Sequence, residues 1–312
     1  MKMALGDANK SNNGFSTYTF GTDNIIQDGN YQMSIGFNNR LYGDTGTQFD
    51  RIVIGKGNTI NSTTISNIFC AGIDLLGGSS NQVIYGMGNI QDTSNAYNII
   101  IGNSYDTSNR ANGLTIDASG NVAIQGTVSS AGADYAEYFE WLDGNPEAED
   151  RIGLLVQLNG DKIELATGTD ILGVVSGTAT VLGDDAEWTW QGRYLKDDFG
   201  RLIMEEKVIE EEVDEFDEIT GEVIGKKIET KTVIAPKVNP DYDPNKPYIN
   251  RANRPEWDAI GMMGKLFVRD DGSAVVNGYV SAVNGIATAS SEKTNMRVME
   301  RISENIIRVC LK

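Results

Sequence analysis

Two acids three residues apart, Asp134 and Glu137, stand in the stretch SSAGADYAEYFEW, Ser129–Trp141. Neighbouring carboxyls catalyse proton transfer when one is held protonated and the other ionised, a split that burial and like-charge repulsion produce. The same Asp-x-x-Glu spacing ahead of an aromatic run also fits a helix capping box, with Asp134 as N-cap and Glu137 reaching back to it. On pattern alone the cap is the commoner outcome. The remaining chemistry is narrow, because the chain contains no histidine. Ser-His-Asp and Cys-His catalysis, His-ligated zinc and imidazole pH switching are thereby excluded. Any catalysis must use carboxylates, hydroxyls, amines or backbone groups.

Other acidic groups make weaker cases. Asp241, Asp243 and Asn245 in NPDYDPN have the alternate spacing of a calcium loop, but Lys246 and Ala252 stand where Gly and Glu are required. The prolines at 240, 244 and 247 mark an extended connection instead. No GxxxxGK[ST] phosphate cradle is present. Asp44 and Asp50 are the pair a glycan hydrolase would use, yet their surroundings hold no Glu and only short apolar runs. No metal and no cofactor are expected.

A net charge of −18 over 312 residues argues against binding a nucleic-acid backbone, which calls for clustered Lys and Arg. No apolar run approaches the ~20 residues of a membrane helix. The first residues lack a secretory signal, so the chain is expected to be soluble, without membrane insertion and outside the general secretory route. Cys70 and Cys310, far apart and without CxxC spacing, read as buried free thiols.

The elements that must hold the two acids divide into two regions. Residues 1–126 have no Glu, Pro or Trp, and carry nine Asp against six Lys and Arg. All glutamates, prolines and tryptophans lie beyond. That shift predicts a boundary, with one domain at 1–126 and another at 127–312. In the first, MSIGFNN, IVIGKGN, IFCAGID, VIYGMGN and IIIGNS place glycines at 36, 55, 72, 86 and 102. Short strands with Gly/Asn turns at such a period predict stacked rungs of a β-roll or β-helix-like shaft. The rungs resemble the β-roll heads of trimeric adhesins and phage tail-fibre shafts. A β-sandwich with Gly-rich loops is the alternative. LTIDASGNVAIQGTV reads as two short strands about a turn.

The second domain is also expected to be mainly β. RIGLLVQLNGDKIELAT and GKLFVRDDGSAVVNGYVSAV each read as strand, Asn-Gly or Asp-Gly turn, and returning strand. EEKVIEEEVDEF through KKIETKTVIAP reads as a long charged hairpin turning at Ile219-Thr220-Gly221. It is either a partner-binding arm or, more simply, a solvated hairpin. RVMERISENIIRVCLK fits a helix or a hairpin about Ser303-Glu304-Asn305, and periodicity does not choose.

ADYAEYFEW, followed by NPDYDPNKPYINRANRPEWDAIGMMGKLFVRDDGSAVVNGY, resembles the C-terminal autoproteolytic intramolecular chaperone domain of bacteriophage tail spikes and neck appendages, a glutamic-peptidase group. The resemblance runs from about Val128 to the C-terminus. It implies an all-β, homotrimeric fibre whose last domain assists trimer assembly and then cuts itself off in a single turnover. It places the scissile bond at Ala133–Asp134 and the catalytic group at Glu137. Glu137 would act as general base on a water, and Asp134 would donate a proton to the leaving nitrogen or stabilise the tetrahedral intermediate. Ala133 stands where relatives carry Ser, which leaves cleavage at Ser129 or Ser130 as the alternative. The resemblance further implies β structure at the C-terminus and a place in the virion after processing in the host cytoplasm. The implied partners are two further copies, the rest of the phage tail and a host surface glycan or receptor. A fibre that never cuts itself, with a permanent receptor-binding tip, is the competing reading.

Overall fold

Short apolar runs interrupted by Gly and Asn build the first of two compact units, Met1–Val128. The structure, a computed structural model, describes residues 2–12, 16–27, 30–43, 48–61, 67–185, 192–216 and 223–312. Asp44 and the Ile219-Thr220-Gly221 turn therefore lie outside the described residues. The chain is almost entirely β, as expected. The first strands are β1 (Lys2–Leu5), β2 (Lys10–Asn12), β3 (Thr17–Thr22), β4 (Ile25–Gln27), β5 (Asn30–Phe37), β6 (Arg40–Tyr42) and β7 (Gln48–Lys56). They continue as β8 (Thr59–Asn61), β9 (Ile68–Ile73), β10 (Leu76–Gly77), β11 (Gln82–Met87), β12 (Tyr97–Asn103), β13 (Asn112–Asp117) and β14 (Val122–Ile124).

Odd-numbered strands to β11, then β12, stack in parallel in one sheet; β2, β4, β6, β8 and β10 stack in a second. Parallel rungs of this kind make a solenoid and rule out the antiparallel sandwich. Gly21, Gly36, Gly55, Gly72, Gly86 and Gly102 fall in one column of the register. Each packs backbone on backbone: a Cβ on Gly36 would sit 2.0 Å from the Gly55 carbonyl oxygen.

Three residues after Gly21, Gly36, Gly55 and Gly86, the buried Asn24, Asn39, Asn58 and Asn89 form a second column. Asn39 N–H donates to Asn24 Oδ1 at 3.2 Å and Asn58 N–H to Asn39 Oδ1 at 3.1 Å. Asn39 Nδ2 donates to the Gly55 carbonyl at 2.9 Å and Asn58 Nδ2 to that of Gly72 at 3.0 Å. The ladder thus satisfies backbone groups at the bend that the sheets leave over. Inside run Ile26, Leu41, Val53, Ile60, Ile84 and Ile100. Antiparallel β13 and β14 end the long sheet, with the Asp117 carboxylate accepting the turn amides of Ser119 and Asn121.

The second unit comprises Ser129–Glu215 and Val223–Lys312. Its strands are β15 (Asp134–Glu140), β16 (Leu155–Asn159), β17 (Lys162–Leu165), β18 (Gly173–Val175), β19 (Ala179–Gly183), β20 (Met204–Phe216) and β21 (Val223–Pro236). Then come β22 (Trp257–Arg269), β23 (Tyr279–Val283), β24 (Ile286–Ser290), β25 (Met296–Ser303) and β26 (Ile306–Leu311). Among the described residues the only helical element is the short 3₁₀ turn Arg251–Asn253, and no helix is long and apolar enough to cross a membrane.

β22 is the axis of this unit: β15, β18 and β26 all pair with it. The expected β16–β17 hairpin is present. The C-terminal segment is a hairpin, because Ile307, Val309 and Leu311 bury alternate positions against Met296 and Val298. GKLFVRDDGSAVVNGY departs from expectation. Asp271-Gly272 does not fold β23 back onto β22; β23 pairs with β24 and β25 instead. The cause is Asp270, whose buried carboxylate binds Arg301 at 2.6 Å and accepts the Gly272 amide, turning the chain out of the sheet.

Only one thiol is fully buried. Burial pushes the Cys70 thiol up to about 12, whereas Cys310 is partly exposed. β20 and β21 form a two-stranded sheet, with Lys226 Nζ 2.5 Å from Glu212 Oε1 across it. Both side chains are well exposed, so the pair adds at most ~1 kcal/mol.

Candidate autoproteolytic site

The sequence DYAEYFE alternates in a strand, not a helix. Asp134, Ala136 and Tyr138 of β15 are buried, while Tyr135 is exposed and Glu137 half-buried. The capping-box reading is therefore corrected: β15 lies between β19, running parallel, and β22, running antiparallel. Neighbouring strands supply hydrogen bonds and cover for the apolar residues, which outweigh the local cap signal. The far end is anchored by Trp141, fully buried under the Arg151 guanidinium 4.3 Å from its ring. Trp141 Nε1 donates to Asp258 Oδ2 at 2.8 Å, and burial raises the pKa of that carboxyl.

At the near end the register slips on both sides of β15. Asp134 pairs with Ala179 and Tyr135 with Val181, so Thr180 is an extra residue in β19. Opposite, Tyr135 pairs with Met263 and Ala136 with Gly261, leaving Met262 extra in β22. Bulges of this kind re-aim side chains and are common beside active sites.

The Ala133–Asp134 peptide bond enters this doubly bulged segment. Lys265 N–H donates to the Ala133 carbonyl oxygen at 3.1 Å. Gly264, at φ +118°, makes room: a Cβ there would lie 2.3 Å from that oxygen. A fixed amide aimed at a carbonyl favours the negative charge that gathers on its oxygen during attack. Ala133 itself is exposed, which leaves the bond open to water.

Asp134 is 3% exposed, and neither carboxyl oxygen has a hydrogen-bond partner among the described residues. Burial therefore raises its pKa, opposed by the nearby hydroxyls of Ser176 and Thr178 and by its own backbone amide, none of which reaches regular hydrogen-bond geometry. That amide nitrogen is the one released when the bond before Asp134 breaks. A carboxyl that holds its proton more tightly than usual, beside its own backbone nitrogen, has the placement that general acid catalysis at that nitrogen would need.

Glu137 is not brought to this carboxyl. It lies on the opposite face of β15, where the Tyr135 hydroxyl donates to Glu137 Oε1. That bond and the Glu137 charge raise the Tyr135 pKa. Both side chains lie over Gly183, where a Cβ would be 2.8 Å from Tyr135 Oη and 2.9 Å from Glu137 Cγ. Asp134 Oδ2 lies instead over Gly261, 2.8 Å from where its Cβ would be. A three-residue spacing brings side chains together on a helix and separates them on a strand. Ser129 and Ser130 are exposed and precede β15.

Sequence reading missed Thr180, Gly264 and the Lys265 amide. The two glycines of GMMGKL within an apolar run were the available signal, because glycine inside a strand marks a bulge or a close backbone approach. Among the described residues no group of three or more Cys, Asp or Glu is placed to hold a metal ion. Asp50, named with Asp44 as a hydrolase pair, is exposed on β7.

The raised pKa of Asp134 gives a stability signature. The folded chain holds this proton more tightly than the unfolded chain, so the contribution is complete below the ordinary carboxylate value and lost as pH rises through the raised one. In an uncleaved Glu137→Gln background, adding Asp134→Asn will remove that loss. Melting temperatures of both variants across mildly acidic pH measure the difference; parallel curves would contradict the assignment.

The chain belongs to a family of autoproteolytic cleavage domains. Residues 81–305 match Peptidase_G2, the IMC autoproteolytic cleavage domain. The match begins upstream of Val128, inside the solenoid. The chain is 38% identical over 173 residues to the pre-neck appendage protein of Bacillus phage B103, covering 54% of this chain and 18% of that protein. It is 36% identical over 176 residues to the putative phage-related protein YobO of Bacillus subtilis (strain 168), covering 55% and 19%. The chain thus spans under a fifth of the curated relatives it matches. The crystal structure of pre-mature bacteriophage phi29 gene product 12 shares its fold, with a TM-score of 0.60 at 23% identity over 99% of this chain and 40% of that one.

Proposed function

We propose that this chain belongs to a phage appendage or tail fibre, which assembles as a homotrimer and then cuts itself before Asp134 by a carboxylate mechanism. The observation that carries the reading is the Asp134 carboxyl, buried without a hydrogen-bond partner beside its own amide. Asp134 is the acid and Glu137 the base, acting on water at the Ala133 carbonyl. Because Glu137 faces away from Asp134 within one chain, its approach to a bond depends on contact between protomers. Trimer assembly is then the switch: an isolated chain keeps the two carboxyls apart.

The solenoid supports trimerisation. Parallel sheets are normally covered on both faces, yet Phe37, Ile52, Ile54, Val83, Tyr85 and Ile101 are each between 37% and 47% exposed. Second and third copies would cover them. The appendage names of the relatives support a place in the virion. Processing in the host cytoplasm, with the rest of the tail and a host surface glycan or receptor as partners, completes the proposal. The chaperone role follows from cleavage after assembly.

Purified protein on a denaturing gel tests the reading. Cleavage before Asp134 divides the 33.9 kDa chain into pieces of about 14 and 19 kDa in proportion to residue count. The larger piece will begin with Asp134, and Glu137→Gln will stay at full length. A wild-type trimer that stays whole would support the competing non-cleaving adhesive fibre; a product beginning near Ser129 or Ser130 would move the bond. A dilute monomer cutting as fast as the trimer would remove the switch.

A further inference from the structure

Thr180 is brought by the fold against Gly132, one residue before Ala133, and has no part in the scheme above. It is the extra residue of the β19 bulge, opposite Asp134 and Tyr135. Its hydroxyl oxygen is buried and has no hydrogen-bond partner among the described residues. A hydroxyl offers one donor and two acceptor sites, and a buried one left unmet in a native fold calls for a functional or structural reason.

Its position is specific. A Cβ on Gly132 would lie 2.7 Å from Thr180 Oγ1, 2.8 Å from Thr180 N and 2.3 Å from the Thr178 carbonyl oxygen. The glycine one residue before Ala133 therefore lets β19 bring this hydroxyl directly against the backbone entering the bond. Two other hydroxyls lie near, but Ser176 Oγ already accepts the Thr178 amide at 3.2 Å and Thr178 is exposed. Thr180 and Asp134 are the two buried groups with unmet capacity flanking this one stretch of chain.

We propose that Thr180 is a catalytic residue for self-cleavage, its hydroxyl holding the attacking water against the Ala133 carbonyl carbon. The proposal rests on the reading that the Ala133–Asp134 bond is cut. The water oxygen bonds to the Ala133 carbon while its proton passes to the Glu137 carboxylate that a neighbouring protomer brings to the bond. The Lys265 amide holds the oxygen that becomes negative. The Asp134 carboxyl gives its proton to its own backbone nitrogen, and the carbon–nitrogen bond breaks. Ala133 ends with a carboxyl group and Asp134 with a free amine; Thr180 keeps its proton throughout. The bulge serves to turn the hydroxyl towards Gly132 instead of leaving it in the regular alternation of β19.

The test follows the full-length chain from synthesis, sampling cleavage on denaturing gels. Wild type must first yield a product beginning with Asp134; a different N-terminus, or none, overturns the reading of the bond before any variant is considered. With that in hand, Thr180→Val, nearly the same shape without the hydroxyl, will cut about 100-fold more slowly. Thr180→Ser will restore the rate to within a few-fold. Thr180→Val will also match Glu137→Gln in melting temperature and oligomeric state. Cleavage of Thr180→Val at the wild-type rate overturns the proposal, as does an equal loss in Thr180→Ser, which would mark a packing role for the methyl group. If Thr180→Val fails to fold, Thr180→Ala replaces it, and its folded fraction must show the same loss.

Discussion

An Asp134→Asn chain will remain at full length under conditions in which wild type has cut itself completely, with a rate at least ~1,000-fold lower. Asn has nearly the shape of Asp, so β15 keeps its two neighbours and its buried face. What disappears is the proton. Burial favours the uncharged acid at this position, and no other titratable side chain is described against the leaving nitrogen. Timed denaturing gels measure the rate, and near-native melting of the variant separates lost chemistry from lost folding. Persistent cleavage before residue 134 in Asp134→Asn would transfer the acid role elsewhere. On the proposed scheme Glu137→Gln will block the same reaction for a different reason, removal of the base, and the two losses will not add, because either alone would stop the proton circuit.

The second large effect lies far from the bond. Gly55→Ala in the uncleaved Glu137→Gln background will destabilise the solenoid by about 3 kcal/mol or more. The new methyl would meet the Gly72 carbonyl oxygen at 1.9 Å, at a φ of +123° that L side chains rarely adopt. Relief requires that rung to separate from the next, which breaks the Asn58 Nδ2 bond to the same carbonyl. Calorimetry will show the solenoid transition lowered by roughly 10 °C or more. An unchanged transition would mean that the glycine column is incidental to the stack. Because rungs contact only their neighbours, the loss enters through the interfaces that the Gly55 rung makes with β5 and β9.

Both effects trace to features that differ in how far the residues themselves announced them. The glycine column was legible as a drifting period, since only Gly tolerates that backbone at those points. The asparagines three residues later stood equally in view in GFNN and GKGN, but nothing local reveals that their amides bridge successive rungs. That bond exists only when one rung lies on another. Leu75 takes the corresponding place after Gly72 and accepts the ladder through its backbone alone, donating to Asn58 Oδ1 at 2.9 Å.

Composition and pattern by themselves pointed to a mainly β chain with stacked rungs rather than a sandwich, and determined a change of character near residue 126 and the exclusion of imidazole chemistry. They also marked Asp134 and Glu137 as the acids to watch. These follow from residue type, period and turn chemistry, which act over a few neighbours. Only the tertiary structure decided what the pair is. Placing DYAEYFE in a strand between β19 and β22 buried one carboxyl and turned the other to the far face, because side chains alternate along a strand. The same placement brought Gly264 and the Lys265 amide to the Ala133 carbonyl, and Thr180 against Gly132 just before it, from positions well removed in sequence. The local alphabet of a capping box could not contain that outcome, since the hydrogen bonds and the desolvation that set it come from other strands.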